Sequence, residues 1–306
     1  MKTLKEKNIT VIVCTYNRSE FLRKCLKSLC EQTLDSRFFS VIVIDNNSKD
    51  GTKGTVADFL SNGNFKYFKE DKQGLSHARN RGIKESDSEY ICFIDDDAIA
   101  DKYWLEVACE VIIHKNPEIF GGPIYPYYGE GRPKWFLDKY EIRARSNSAG
   151  FLNSDKMLFG SNIFFKKEIF DKIGFFDVEL GMKGNVISLG EETKLQVIAN
   201  QSGIKRWYEP RLMVKHFTGF EKMTLKYVMK RNFWISYYSR RIYNEDDIGF
   251  ARDLYFYIRE LLKFLFLLFL LPIRDKEKYL FWQNYFIEKL LPNFIRIGKL
   301  YSYFKR

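Results

Sequence analysis

Residues 90–97 read Tyr-Ile-Cys-Phe-Ile-Asp-Asp-Asp, a short apolar run that ends abruptly in three carboxylates. An apolar run of this length, bounded by polar residues, is typical of a β-strand that is buried on both faces. Three consecutive acids at its end cannot belong to the core, because like charges this close raise one another's pKa unless a cation lies between them. The stretch therefore predicts a divalent metal site at the carboxyl end of a central strand, the edge at which open α/β sheets bind ligands.

Three further strands are predicted before this stretch, each followed by a helical pattern. The strands are residues 9–14, 39–44 and 65–68, and the last of the helices opens at residues 74–83. Regular alternation of strands and helices indicates an α/β fold with a Rossmann-like, mostly parallel sheet that is flanked by helices.

Polar clusters follow three of these strands, at Thr15–Arg18, Asp45–Ser48 and Asp95–Asp97. We expect all three at one edge of the sheet, where several strand ends would build a single site. Local structure offers an alternative role for Thr15 and Asn17, because such residues also form turns and helix caps. Asn17 or Ser19 can cap the following helix, and Glu20 is placed to complete a capping box with Asn17.

The chain beyond residue 100 is less regular. We predict helices at residues 101–114 and 191–201, and strands at residues 119–124, 158–165, 205–208 and 212–216. Glycine and proline are concentrated in Tyr125–Gly150, which we expect to be a loop. The glycine-rich segment Gly181–Gly190 is expected to be mobile.

Charge is unevenly distributed along the 306 residues. The chain carries 50 basic and 39 acidic residues, and residues 221–306 alone hold 17 basic and 9 acidic ones, or +8 of the net +11. A basic, aromatic tail suggests an acidic partner: a membrane surface, a phosphorylated lipid or nucleic acid. Residues 254–271 form an apolar helical pattern, but the stretch from Leu261 to Leu271 is shorter than the roughly 20 residues needed to span a bilayer. A helix that lies in the membrane interface, or that packs on the rest of the protein, fits this pattern better.

Two features indicate a cytoplasmic protein. The five cysteines form no CxxC pair, which is typical of reduced thiols used as small apolar residues. Residues 1–8 are polar and rich in lysine, without an apolar stretch before the first strand, which argues against a signal peptide.

Several motifs occur in the order found in one enzyme family. They are Thr15–Arg18 (Thr-Tyr-Asn-Arg), residues 43–52 (Val-Ile-Asp-Asn-Asn-Ser-Lys-Asp-Gly-Thr), residues 74–83 (Gly-Leu-Ser-His-Ala-Arg-Asn-Arg-Gly-Ile), residues 93–97, and the shorter matches at Gly160–Asn162, Gly174–Asp177 and Gly190–Thr193. Over about residues 8–220 the chain resembles a family 2 glycosyltransferase of GT-A fold.

The resemblance implies a division of the chain. Residues 1–220 would form the GT-A domain, with a nucleotide-sugar-binding half at 9–97 and an acceptor and base half at 120–220. Residues 221–306 would form a helical, basic extension. A nucleotide-sugar donor, usually linked to UDP or GDP, and inversion at the anomeric carbon are implied as well.

The same resemblance assigns roles to the three acids. Asp97 corresponds to the metal-binding aspartate of the family, Asp95 to the one nearer the ribose and phosphate, and Asp96 lies between them and tunes the charge. A Mn²⁺ or Mg²⁺ ion held by such carboxylates and by the phosphates neutralises the leaving diphosphate. The alternative for this run is a solvated acidic turn or helix cap.

Four other positions match the donor side of the family's site. Thr15, Asn17 and Asp45 correspond to residues that contact the nucleoside. Arg79 would lie in the first turns of a helix, near the diphosphate; its alternative is an ordinary surface arginine.

The acceptor hydroxyl needs a general base, for which a carboxylate is suitable. Glu191 and Glu192 occupy the place of the family's Glu-Asp pair, whose second member is the usual base, so the resemblance assigns Glu192. Glutamate replaces aspartate here and moves the carboxylate by about a bond length, so the role could shift to Glu191. Acids in the first turn of a helix also favour its dipole, which is the alternative reading of both residues.

His216 ends a predicted strand 24 positions after Glu192. A histidine near this point is a third metal ligand in some members of the family, and an imidazole ligand would favour Mn²⁺ over Mg²⁺. The alternative is a partly buried structural histidine.

The resemblance thus implies an inverting transferase that moves a hexosyl or N-acetylhexosaminyl group, most often from a UDP-sugar, to a glycan or polyprenyl-linked acceptor in polysaccharide or cell-surface glycan synthesis. We expect it at the inner face of the cell membrane, in peripheral contact with lipid. A non-catalytic sugar-nucleotide binder is the alternative, and the Glu191–Glu192 departure is its only support. Nucleic-acid binding is disfavoured, because the sequence has no nucleic-acid motif and three acids at the predicted ligand edge would repel phosphate in the absence of a metal ion.

Overall fold

The computed structural model describes residues 8–184, 188–244 and 249–304, except for the side chain of Phe294. Residues 1–7, on which the signal-peptide argument rests, lie outside the described residues. Residues 185–187 of the segment expected to be mobile lie outside them too, as do residues 245–248 and the terminal residues 305 and 306 of the basic extension.

The chain divides into two compact units. The first, here called the sheet unit, comprises Met1–Tyr127, Glu141–Val186 and Glu191–Phe217. The second, here called the helical unit, comprises Tyr128–Tyr140, Ile187–Gly190 and Thr218–Arg306. The functional division at residue 220 stays a prediction.

Strands and helices alternate through the first half of the chain, as the sequence predicts. The strands are β1 (Ile9–Thr15), β2 (Phe39–Asp45), β3 (Phe65–Lys69), β4 (Tyr90–Asp95), β5 (Ala98–Ala100), β6 (Ile119–Gly121), β7 (Ile124–Tyr128), β8 (Gly150–Phe151), β9 (Ile163–Lys166), β10 (Arg206–Tyr208) and β11 (Val214–Thr218). The helices up to residue 201 are α1 (Ser19–Cys30), α2 (Thr52–Ala57), α3 (Leu75–Glu85), α4 (Trp104–Lys115), α5 (Ile169–Ile173) and α6 (Glu191–Gln201).

The main sheet has eight strands in the order β3-β2-β1-β4-β9-β6-β10-β8. Its first four strands are parallel, and β9 then runs antiparallel to both β4 and β6. A second sheet has the order β5-β11-β7. The expectation of an α/β fold with a mostly parallel sheet flanked by helices is therefore confirmed.

The central strands are apolar because helices cover both faces of the sheet. Alternate side chains of β1 enter opposite clusters: Val11 and Val13 pack with Leu22 of α1, whereas Ile12 packs with Ala78 and Ile83 of α3. All of them are buried, and full burial of one such aliphatic side chain contributes about 1.5–3 kcal/mol.

One local prediction is wrong and two are correct only in part. Asn17 does not cap α1 with Glu20: the helix follows Arg18 without a side-chain cap, and Asn17 adopts a left-handed backbone with φ 53°. The strand expected at residues 158–165 is confined to β9, which starts at Ile163. The loop expected at Tyr125–Gly150 begins with the end of β7 and contains a short 3₁₀ turn at Asp138–Tyr140.

The helical unit is built mainly from the C-terminal part of the chain. Its helices are α7 (Leu225–Tyr243), α8 (Phe250–Phe269), α9 (Trp282–Tyr285), a π-helical stretch at Phe286–Leu290, α10 (Leu291–Phe294) and α11 (Ile297–Tyr301). Tyr279, Tyr285 and Leu290 form a small apolar cluster against the inner side of α8. Within residues 8–184, 188–244 and 249–304, every helix is too short or too polar to cross a bilayer.

Candidate active site

Three polar strand ends meet at one edge of the parallel sheet. Thr15, the last residue of β1, pairs with Asp45 at the end of β2, and Cys14 pairs with Asp95 at the end of β4. Because neighbouring parallel strands in this register end at the same level, their polar end groups converge. This edge carries the candidate site.

Asp95, Asp97 and His216 form a group that can hold a metal ion. One potential ligand atom from each lies within 4.8 Å of the others, and His216 Nε2 is 3.1 Å from Asp97 Oδ1 and 3.4 Å from Asp95 Oδ2. The register of β11 with β5 sets the position of His216, which pairs with Ala98. Nδ1 of the same ring lies 3.1 Å from the backbone oxygen of Phe217, so a proton on Nδ1 can be donated there and Nε2 left for a metal.

These residues fit a divalent cation. Two carboxylates and one imidazole are a ligand set suited to Mn²⁺, with Mg²⁺ as the harder alternative. Partial burial alone would raise the pKa of Asp95, but hydrogen bonding to His216 and the charges of Arg79 and Arg18 hold that pKa below its usual range. Asp95 is therefore a carboxylate, the form that a metal requires.

Asp96 lies apart from this group and is held by other partners. Its Oδ2 accepts a hydrogen bond from Thr15 Oγ1 at 2.8 Å, and its Oδ1 pairs with Arg18 Nη1 at 2.8 Å. Burial, opposed by Arg18 and assisted by Asp97, raises the pKa of Asp96 to about 6. Asp96 and Asp97 are only 4% and 3% exposed, which excludes a solvated acidic turn.

Arg18 links the two buried acids. While Nη1 binds Asp96, Nη2 binds Asp97 Oδ2 at 2.9 Å, so that the Oδ1 atom of Asp97 is the one nearest His216. A guanidinium presents its donors in a rigid planar fork and can bridge two carboxylates in this way. Arg18 thus restricts the orientation of Asp97.

Arg79 is buried at the site and is not a surface arginine. Its Nη1 pairs with Glu191 Oε1 at 2.6 Å, and its Nη2 lies 3.5 Å from Asp95 Oδ1. The guanidinium also lies over the rings of Phe93 and Phe176, at 5.5 and 5.4 Å from their centroids. Arg79 therefore connects the acids after β4 with the start of α6.

Glu191 and Glu192 begin α6 as the sequence predicts, but their surroundings differ. Glu191 is 5% exposed and its carboxylate is bound to Arg79. Burial, followed by the charge of Glu192, raises the pKa of Glu191 against the opposing effect of Arg79. Glu192 is half-buried and approaches Gly160, where an added Cβ would lie 3.2 Å from both Glu192 Cγ and Arg79 Nη2. The absence of a side chain at Gly160 leaves room for both groups.

The donor-side residues after β1 and β2 are tied to each other. Asp45 is buried and accepts hydrogen bonds from the backbone N–H of Ser48 and from the Tyr67 hydroxyl, both at 2.8 Å. Asn17 uses its side-chain oxygen to accept from the backbone N–H of Lys49 at 2.7 Å. These bonds hold the two loops together at the edge where Thr15 also lies.

Three contacts at the site were not anticipated from the sequence. Arg18 lies in the Thr15–Arg18 motif, but no contact with Asp96 or Asp97 was predicted for it. Tyr67 contacts Asp45 across the β2–β3 pair, and Ser161 Oγ accepts from the backbone N–H of Asp95 at 3.3 Å. The register of β2 with β3 would have indicated Tyr67, since Tyr67 lies two positions before the partner of Asp45 on an adjacent strand. Ser161 lies in the matched motif Gly160–Asn162, but the motif does not indicate a contact with Asp95, which is 66 residues away.

A mostly parallel sheet with clustered acids at its carboxyl edge, and a helical C-terminal region, is the architecture of a GT-A glycosyltransferase. The family model of glycosyl transferase family 2 matches residues 10–174. The chain belongs to this family and is a family 2 glycosyltransferase.

Curated relatives are similar over larger parts of the chain. A glucosyl-dolichyl phosphate glucuronosyltransferase of Haloferax volcanii is 26% identical over 266 residues, which cover 80% of this chain and 82% of that enzyme. The poly(ribitol-phosphate) beta-N-acetylglucosaminyltransferase TarP of Staphylococcus aureus is 26% identical over 208 residues, or 63% of each protein.

Solved structures show the same fold at lower identity. S. aureus TarS 1–349 in complex with UDP-GlcNAc matches with a TM-score of 0.55 and 19% identity, over 76% of this chain and 67% of that one. GalNAc-T7 with UDP, GalNAc and Mn²⁺ matches with a TM-score of 0.57 and 17% identity, over 76% of this chain and 50% of that one.

Proposed function

We propose that this protein is an inverting, metal-dependent transferase that moves a hexosyl or N-acetylhexosaminyl group from a UDP-sugar to a glycan or lipid-linked acceptor in polysaccharide or cell-surface glycan synthesis. The observation that carries the proposal is the convergence of Asp95, Asp97 and His216 at the carboxyl edge of the sheet. A Mn²⁺ or Mg²⁺ ion held there would neutralise the charge that develops on the departing diphosphate.

The residues after β1 and β2 would bind the nucleoside. Asp45 is oriented by Ser48 and Tyr67, so its carboxylate is fixed before the donor arrives. We assign Thr15, Asn17 and Asp45 to this part of the donor. Asp96 would act indirectly, through its bonds to Thr15 and Arg18.

Glu192 is the better candidate for the general base. Glu191 is only 5% exposed and its Oε1 is bound to Arg79 at 2.6 Å, so its carboxylate is less accessible to a substrate hydroxyl. Glu192 is half-buried, and therefore more accessible than Glu191, and it lies against Gly160. Glu191 and Arg79 would then be positioning residues that hold the start of α6 near Asp95.

The donor and acceptor classes are proposed by analogy with the relatives. TarS was solved with UDP and with UDP-GlcNAc, and GalNAc-T7 with UDP and Mn²⁺. The name of the archaeal relative specifies a glucosyl-dolichyl phosphate acceptor. A UDP-sugar donor and a polyprenyl-linked acceptor are therefore the first substrates to test.

The test combines ligand binding with a substitution at the proposed base. Purified protein is heated with UDP, GDP and their sugar conjugates, with and without Mn²⁺, since a bound ligand raises the melting temperature. We expect the largest rise with a UDP-sugar and Mn²⁺ together. A rise that is equal without metal would contradict the metal assignment.

Glu192→Gln removes the proton acceptor at nearly constant volume. We expect transfer to fall by roughly 10²–10⁴-fold, with the thermal shift by UDP-sugar and Mn²⁺ unchanged. Glu31→Gln, at a side chain that is 61% exposed, is the matched control. Persistent transfer by the Glu192 variant would show that another group is the base.

We also propose that the protein works at the inner face of the cell membrane, in peripheral contact with lipid. The support is the +8 charge of residues 221–306 and the lipid-phosphate acceptor named for the archaeal relative. Co-sedimentation of the purified protein with anionic vesicles tests it, and a protein that remains in the supernatant with all vesicles would contradict it.

A further inference from the structure

The outer side of α8 is an apolar surface in solvent. Leu262 is 63% exposed, Phe266 62% and Phe269 80%. The other exposed large apolar side chains of this helix are Leu254, Tyr255, Ile258, Leu265 and Leu268. Soluble proteins rarely leave so many large apolar groups together on one element without a partner.

The spacing places these side chains on one face of the helix. Ile258, Leu262, Leu265 and Phe269 are separated by four, three and four residues, which is the repeat of a single helical stripe. The inner side of the same helix is already used, because Phe264 and Leu267 pack against the cluster of the helical unit. We define the outer face by Ile258, Leu262, Leu265, Phe266 and Phe269. Its apolar side chains are not those that pack α8 against this cluster.

Three large apolar side chains that follow α8 in the chain are exposed as well. Ile273 is 75% exposed, Leu280 72% and Trp282 44%. Tryptophan is enriched at the boundary between lipid and water, where its ring reaches hydrocarbon and its N–H stays hydrated.

Basic side chains accompany the apolar face. Arg252, Arg259 and Lys263 follow at spacings of seven and four residues, so they share one flank of the helix, and all three are exposed. The acids of α8 are less accessible: the side chain of Asp253 is 6% exposed, and that of Glu260 is 15% exposed and paired with Arg259 at 2.6 Å. The accessible charge beside the outer face is thus positive, which complements an anionic surface.

We propose that the outer face of α8 lies in the interface of an anionic phospholipid bilayer, with Arg252, Arg259 and Lys263 directed to lipid phosphates. This inference rests on the proposed peripheral association and deepens it by naming the helix and the class of lipid. An amphipathic helix with a basic flank binds in the interface plane in this manner. A second copy of the chain is a less suitable partner, since two such basic flanks would repel each other.

The experiment is flotation of the full-length protein with vesicles of phosphatidylcholine alone and of phosphatidylcholine with about a third phosphatidylglycerol. We expect the wild type to float with the anionic vesicles and to be released by salt. Leu262→Glu with Phe266→Glu should lower the partition coefficient at least tenfold, because charges would have to enter the apolar layer. Leu60→Glu and Phe151→Glu, at exposed positions of the sheet unit, are the matched controls and should float like the wild type.

A second variant tests the basic flank. Arg252→Gln, Arg259→Gln and Lys263→Gln combined should weaken binding to anionic vesicles at least tenfold, since each basic residue near such a surface is worth about a fivefold change. Binding to the neutral vesicles should be unchanged. All variants should keep the melting temperature of the wild type, which shows that they fold. They should also keep the thermal shift caused by UDP-sugar, which shows that donor binding does not depend on the substituted residues.

The outcomes distinguish the two proposals. If the wild type floats and the Leu262/Phe266 variant floats equally, the assignment to α8 is overturned while peripheral association stands. If the wild type floats with neither kind of vesicle, the assignment to α8 and the peripheral association are both overturned. The proposal of sugar transfer is not affected by that result. If light scattering shows a dimer that the Leu262/Phe266 variant abolishes, and vesicles do not bind, the face is a contact between copies and the lipid assignment is overturned.

Discussion

The sheet unit and the helical unit each keep an arrangement that is unfavourable in water, but of opposite kinds. The sheet unit buries charge: Asp96, Asp97, Arg79 and Glu191 are all 5% exposed or less. The helical unit exposes apolar surface, with Phe269 at 80%. Burying like charges and exposing large apolar groups both carry a free-energy cost, which a ligand of the opposite character can offset.

The two units should therefore bind partners of opposite chemical character. In the proposals made above, a cation would offset the repulsion between acids at the sheet edge, and lipid hydrocarbon would cover the outer face of α8. Substitutions at four positions test the contrast between buried charge and exposed apolar surface, with expected effects that decrease from Arg79 to Phe269.

The largest effect is expected at the buried ion pair of the sheet unit. Arg79→Met leaves the Glu191 carboxylate without its partner, and breaking such a pair costs about 3–5 kcal/mol of unfolding free energy. Urea unfolding followed by tryptophan fluorescence measures it. The double variant Arg79→Met with Glu191→Met should recover most of the loss, since an apolar pair needs no compensation. A single variant as stable as the wild type would mean that the pair is not desolvated.

Asp97→Asn removes one of the three candidate metal ligands. We expect transfer to fall at least about 100-fold, or about 2.7 kcal/mol in activation free energy, together with weaker Mn²⁺ binding. Electron paramagnetic resonance titration of free Mn²⁺ gives the second readout. Asp71→Asn, at a side chain that is 80% exposed, is the control. Unchanged Mn²⁺ affinity would show that Asp97 is not a ligand of the cation, and it would contradict a metal ion as the reason why these acids are buried together.

Gly82→Ala tests how closely the sheet unit is packed. An added Cβ would lie 2.6 Å from Ile12 Cγ2, so α3 must shift or Ile12 must leave its rotamer, at about 1–3 kcal/mol. The control is Gly54→Ala in α2, where nothing lies within 4 Å of the added atom and a small gain in stability is expected. Equal effects at the two glycines would show a loosely packed sheet face.

Phe269→Ser should have the smallest effect on stability. A surface side chain that is 80% exposed makes few contacts in the folded chain, so we expect a change within about 0.5 kcal/mol. Thermal and urea unfolding in the absence of lipid measure it. A loss above about 1 kcal/mol would indicate that the outer face of α8 packs against protein, and it would weaken the contrast between the two units.

Much of the site follows from the sequence because it depends on strand ends. The apolar runs of β1, β2 and β4 end at Thr15, Asp45 and Asp95, and parallel pairing in register brings these ends to one edge. The start of α6 at Glu191 also agrees with the prediction. These features are local, or they depend on a repeat that the sequence shows directly.

Other features depend on contacts between distant segments. The antiparallel insertion of β9 between β4 and β6 joins residues about 70 and 45 positions apart, and no local pattern specifies it. The pairing of Arg18 with Asp96 and Asp97 spans almost 80 residues. Asn17 was expected to cap a helix. Its side-chain oxygen instead accepts a hydrogen bond from the backbone N–H of Lys49, in the loop after β2.

The two outer strands of the main sheet have a consequence for how the chain behaves at high concentration. One edge is β3, whose exposed Lys66 and Lys69 place charge along the unpaired backbone, and the other is β8, which is only two residues long. Lysine side chains and very short strands both discourage the addition of a further strand from another molecule. Both edges of the eight-stranded sheet therefore disfavour pairing with a strand of another molecule, which lowers the tendency to associate edge to edge as the protein concentration rises.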